Sequence, residues 1–161
     1  MKRRIACVVG GMAACLGGCR GSGPERRTVE AVIGGERYAL EVVAEGPDMD
    51  AGLGGRTVGP GEGMLFVFAA PAEQVFVMRD CAAPIDVAFL DEECKVIAVH
   101  AMTPEQPRTP AEMGAEGEAV YVARLRGYVS GGPAAYAVEV QGGAFATSLK
   151  PGDVVRLRLR R

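Results

Sequence analysis

Along most of this chain the apolar positions come in short runs of strand length, and helical spacing is rare. Thr28–Ile33 and Glu36–Val43 are two apolar-rich runs separated by Gly34-Gly35, a two-residue hairpin signal. Gly46-Pro47-Asp48 breaks the second run. Asp48 is placed to cap a short helix carrying Met49, Ala51 and Leu53, although Gly52, Gly54 and Gly55 oppose it. After the Gly59-Pro60-Gly61 loop, residues 64–68 (Met-Leu-Phe-Val-Phe) are continuously apolar and read as a core strand. Residues 69–72 then turn the chain, and 74–78 make another strand. Ile85–Leu90 and residues 95–102 flank a hairpin connection at Asp91-Glu92-Glu93-Cys94.

Residues 103–113 hold Pro104, Pro107 and Pro110, cannot join a sheet interior, and read as a surface loop with few buried contacts. The best helical stretch is 116–126, with Ala119, Val122 and Ala123 at helical spacing and Gly127 at its C-terminal end. Residues 135–140 alternate as a strand, and 143–149 suit one or two helical turns. Pro151-Gly152-Asp153 leads into a final strand with Arg156, Arg158 and Arg160 on one face and Val155, Leu157 and Leu159 on the other. Seven or eight short strands with one or two short helices predict a mainly β (β-rich α+β) fold, a compact barrel-like single domain over 28–161.

The first nineteen residues report location. Lys2, Arg3 and Arg4 form a basic head, residues 5–16 an apolar run, and Leu16-Gly17-Gly18-Cys19 the close. That layout is a secretory signal peptide, too short for a transmembrane span. Its ending resembles the lipobox of bacterial lipoproteins, which implies cleavage after residue 18 and acyl chains on Cys19 as the membrane anchor. Residues 19–27 then form a lipidated, flexible tether. Export across the cytoplasmic membrane to its periplasmic face follows. Arg20, where a retention signal would have Asp, favours the outer membrane if the source has one. Three of the 18 basic residues lie in the head, leaving 15 against 20 acidic ones, a net charge near −5. That excludes nucleic acid as a natural partner. Cys81 and Cys94 are the cysteines left beyond Cys19. A hairpin tip at 91–94 places them at opposite ends of a strand, too far apart for a disulfide.

Gly63-Met64-Leu65-Phe66-Val67-Phe68, Phe76-Val77-Met78-Arg79, Pro84-Ile85-Asp86-Val87-Ala88-Phe89-Leu90-Asp91 and the later Tyr136-Ala137-Val138-Glu139-Val140 together resemble the family catalogued as domain of unknown function 192. The resemblance spans about 28–159. It implies a bacterial protein, often secreted or lipid-anchored, with no established activity. Where the family typically reads Phe-Trp-Met-Lys-Asn-Thr, this chain has Phe76-Val77-Met78-Arg79-Asp80-Cys81. Where it reads Gly-Leu-Met-x-Arg, this chain has Gly52-Leu53-Gly54-Gly55-Arg56. If these positions form a site, its ligand differs here.

Candidate chemistry centres on Arg79, Asp80 and Asp86, polar residues between apolar strands that must be paired or functional. Arg79 suits an anion clamp and an Asp a general acid or base; an Arg–Asp pair closing the barrel mouth is the structural alternative. Arg56 and Met78 complete the candidate ligand-binding set. His100, the single histidine, has no second ligand at metal spacing and no partner base, so neither a metal site nor a cofactor is implied. The leading expectation is a lipid-anchored cell-envelope module binding a small ligand or an envelope protein. The alternative is an envelope hydrolase or transferase acting on glycan or peptidoglycan through Asp80 and Asp86.

Overall fold

The computed structural model describes residues 27–145 and 148–159. The basic head, the apolar run, Cys19 and the tether up to residue 26 lie outside the described residues. Within them run β1 (Thr28–Ile33), β2 (Glu36–Val43), α1 (Pro47–Ala51), β3 (Glu62–Ala72), β4 (Val75–Phe76), β5 (Ile85–Leu90) and β6 (Val96–Met102). A 3-10 turn (Pro110–Glu112), α2 (Gly114–Arg124), β7 (Tyr128–Val129), β8 (Ala134–Gln141) and β9 (Arg156–Leu159) follow.

Seven strands form one mixed sheet in the order β6-β5-β8-β3-β2-β1-β9, in which β2 and β3 are parallel and the other neighbours antiparallel. β4 and β7 make a separate two-stranded ribbon. The sheet curls until its ends approach. Lys95 bridges Val154, the Val96 N–H donates to the Asp153 carbonyl at 2.8 Å, and the Val155 N–H donates to the Cys94 carbonyl at 2.9 Å. One bridge is not a ladder: beyond Val155 the chain leaves this hairpin and pairs with β1 instead. The fold is therefore β-rich and barrel-like, as the sequence predicts, but the sheet is not a closed barrel.

Alternate residues of the central strands enter two separate cores. Val29, Ala31, Leu40, Leu65, Ala88, Leu90, Val138 and Val140 pack on the inner face. Met64, Phe66, Met78, Val87, Phe89 and Ala137 pack on the outer face, under Leu53 and Tyr128. Leu65 and Phe66, neighbours in β3, are therefore only 4% and 1% exposed. A strand buried on both faces reads as a continuous apolar run, which is why 64–68 shows no alternation.

Some boundaries move. β3 continues through residues 69–72, with a register shift between Val67 and Ala72 that accommodates Pro71, so no turn occurs there. The strand expected at 74–78 shrinks to two residues. Gly46, not Asp48, precedes α1, Pro47 opens it, and Leu53 lies beyond its end. α2 begins and ends two residues before the periodicity suggested, and residues 142–145 form a turn. Gly117, poor for helix propensity, has a packing reason. A Cβ there would stand 2.6 Å from the Ala111 carbonyl oxygen, so glycine lets α2 lie against the 3-10 turn.

Candidate functional site

The structure separates the residues that the sequence groups. Asp80, in the left-handed region at φ 54°, turns its carboxylate outward to Arg108, whose Nε and Nη2 donate to Oδ1 and Oδ2 at 2.9 and 2.8 Å. Arg108 beside it holds the Asp80 carboxyl below its ordinary range. Arg79 donates to the Asp50 carbonyl at 2.7 Å and stands 3.8 Å from Glu118. Arg56 pairs with Glu41 at 2.7 Å, and Met78 is core. Asp86 belongs to the inner face with Ala88 and Leu90, where its Oδ2 accepts the Phe145 N–H at 2.7 Å. Asp80 and Asp86 thus serve separate partners on opposite faces of the sheet, and no paired-carboxylate site is assembled. His100 packs edge-on between Phe89 and Tyr128 and donates from Nε2 to the Val129 carbonyl at 2.7 Å, tying β6 to β7. No disulfide joins Cys81 and Cys94, the first half-buried on the outer face and the second buried in the β5–β6 turn.

The proline-rich segment departs furthest from its expected role. Tyr121 of α2, 2% exposed, lies between the guanidiniums of Arg108 and Arg124, 3.8 and 4.9 Å from its ring centroid. Its hydroxyl accepts the Asp80 N–H at 3.1 Å. Arg108 also donates to Glu118 at 2.5 Å, and Arg124 to Glu112 at 2.6 Å. Glu112, buried, accepts the Thr109 N–H at 2.7 Å, and Arg124 with that bond holds its carboxyl down to about 2. Residues 103–113 are therefore not a loosely held loop. Their charges close a network over the outer core.

Two further features were invisible to pattern reading. Glu139 of β8 points into the outer face, 5% exposed, and its Oε2 accepts the Leu53 N–H at 3.2 Å. Burial pushes its carboxyl up to about 7, against the opposing pull of that hydrogen bond. The second feature is a groove of about 370 Å³ at one end of the sheet. Glu36, Arg37 and Tyr38 at the start of β2, the loop 59–62 and the turn 141–144 line it. Tyr38 packs edge-on against Phe145, and burial pushes its hydroxyl pKa up, with Glu36 and Asp86 adding to the effect. A smaller cleft of about 70 Å³, lined by Arg56, Cys81 and Pro84 among others, holds no more than a few waters. Among the described residues no group of three or more His, Cys, Asp or Glu side chains is placed to hold a metal ion.

Comparison with known proteins bears on the fold and on kinship. No curated protein matches the chain. A crystal structure of a candidate transcription regulator from Sinorhizobium meliloti 1021 is 19% identical, with a TM-score of 0.63, covering 82% of this chain and 93% of that one. A protein of unknown function from Novosphingobium aromaticivorans DSM 12444 is 24% identical, with a TM-score of 0.61, covering 80% of this chain and 83% of the other. At these identities the likeness is one of fold. The profile of the DUF192 family, described as Uncharacterized ACR, matches residues 29–157, which run from β1 to the middle of β9. The chain belongs to the DUF192 family.

Proposed function

We propose that this protein is a lipid-anchored module of the cell envelope that binds a small polar ligand in the groove between the start of β2, the 59–62 loop and the 141–144 turn. The groove carries the reading: about 370 Å³ falls in the range of small-molecule sites, roughly 300–1,000 Å³. Gly59, Gly61, Gly142 and Gly143 bring bare backbone without side chains to its walls, and Gln141 carries an amide. Glu36 and Glu62 outnumber Arg37, so the wall disfavours an anion and suits a neutral, hydroxyl-rich molecule. The Arg56, Arg79 and Asp80 side chains, paired elsewhere, are scaffold in this reading. Anchorage rests on the Lys2–Arg4 head, the apolar run and Cys19. A tether of nine residues would hold the domain within roughly 30 Å of the bilayer.

Thermal unfolding of the purified protein with N-acetylglucosamine, glucose, glucose 6-phosphate and spermidine tests the reading. Binding to the native state raises the melting temperature, by the equivalent of about 2.7 kcal/mol at a hundredfold excess over Kd. Neutral sugars should raise it and the phosphorylated sugar should not. Gln141→Ala should abolish the rise. No shift with any of the four, or an equal shift in Gln141→Ala, refutes the groove as the site.

A further inference from the structure

We propose that Glu139 is a proton-operated latch that holds the segment 47–58 against the sheet when neutral and loosens it when ionised. The inference is independent of ligand binding in the groove.

The geometry is that of a buried acid closed over by a single turn. Leu53, 2% exposed, inserts into the outer core while its N–H donates to Glu139 Oε2. Gly52 sits at φ 53°, and a Cβ there would lie 2.9 Å from the same oxygen. Glycine thus lets the turn close directly onto the carboxyl. The register flanks Glu139 with Met64 of β3 and Val87 of β5, and both belong to the apolar outer core. A carboxyl in such surroundings resists ionisation, and it ionises at about 7 in place of the ordinary 4.5.

The neighbouring titratable and charged groups sit at the edges of this pocket. Cys81 feels the Glu139 charge, but burial pushes its thiol up to about 11, so it is neutral while Glu139 titrates. Asp80 acts on Cys81 and is bound to Arg108. His100 stands one strand further along the same cross-strand row, beyond Val87, with its ring turned to the Val129 carbonyl. Arg56 is paired with Glu41, and Arg79 with the Asp50 carbonyl. The turn has a further tie to the rest of the fold, the Gly55 N–H donating to the Asp80 carbonyl at 3.2 Å.

The sign follows from the raised value. The contribution of Glu139 to closure is complete below the ordinary carboxyl value and is lost as pH rises through about 7. If opening rehydrates the carboxyl, the closing constant of the turn falls about 70-fold between pH 5 and pH 8. Release would part Arg56 from Glu41 and take the Asp50 carbonyl from Arg79, so pH would reshape the outer face.

Amide hydrogen exchange in the purified full-length chain reads this directly. The Leu53 amide should lose about 70-fold of its protection, relative to the intrinsic exchange rate, between pH 5 and pH 8. The Val138 amide in the sheet should not lose it. In Glu139→Gln, which keeps the shape and cannot ionise, Leu53 protection should be flat with pH. Flat protection in the wild type, an equal slope in Glu139→Gln, or an equal loss at Val138 would each overturn the latch. Carbon NMR titration of the Glu139 carboxyl in the wild type needs no variant, and an apparent value near 4.5 would overturn it as well.

Discussion

Replacing Tyr121 tests whether the proline-rich segment and α2 are part of the cooperative core. Two substitutions separate ring from hydroxyl. Tyr121→Phe keeps the ring between Arg108 and Arg124 and leaves the partly buried Asp80 N–H without its acceptor, a loss of about 1–2 kcal/mol. Tyr121→Ala removes a ring that is 98% buried, which costs about 3–5 kcal/mol for an aromatic side chain. Because the ring also carries two guanidinium stacks, each worth about 0.5–1 kcal/mol, the upper end of that range is expected. With an unfolding entropy near 2.1 cal/mol/K per residue, each kcal/mol moves Tm by about 3–4 °C in a domain of this size. The Phe variant should melt about 4–7 °C lower and the Ala variant about 12–18 °C lower, by calorimetry and by urea unfolding at constant m. An Ala variant melting within about 2 °C of the wild type would refute the reasoning. It would return residues 104–111 to the dispensable loop that their prolines suggest.

Phe66→Ala, at a site 1% exposed and 5.0 Å from the Phe76 ring, should cost about 3–5 kcal/mol in urea unfolding. Glu112 has a depressed carboxyl value, so it stabilises the fold above the ordinary range and ceases to do so as pH falls toward 2. The gap in Tm between wild type and Glu112→Gln should accordingly narrow from pH 6 to pH 2.5, and a constant gap would contradict the Arg124 pairing. Cys19→Ala should release the protein from the membrane fraction or block its processing, and unchanged attachment with a cleaved leader would end the lipoprotein proposal.

β1, β2 and β5 match the sequence reading residue for residue, because apolar runs of strand length and the turns that bound them, Gly34-Gly35 and Asp91–Cys94, are local signals. The site was less legible, for a related reason. In a half-exposed strand the polar positions face water. Here the sheet is covered on both sides, so Glu139, flanked by apolar Val138 and Val140, faces a second core that the alternation does not announce. Arg108 and Glu112 fall in the stretch expected to be a surface loop and Tyr121 in the expected helix; their pairing depends on α2 folding back over that stretch, a tertiary event without a local pattern. Asp80 and Asp86 stand close in sequence, but Asp80 sits in the turn ahead of β5 and meets Arg108, while Asp86 lies on β5 and meets the Phe145 N–H. The groove, formed by three segments distant in sequence, has no sequence signature at all.

The pairing of β1 with β9 joins the first and last described strands, Val29 opposite Leu159, and this governs the order of assembly. During synthesis β1 and β2 can form their hairpin early, but the outer edge of β1 stays unpaired until residues 156–159 are available. Until then its exposed backbone groups form a template for other chains. The inner core stays open on the same side, because Val155 enters it from the segment just ahead of β9. Folding is thereby committed to contacts separated by almost the entire chain, a topology that slows the search. Removing residues 156–159 would then strip β9 from β1 and leave that backbone edge open to other chains.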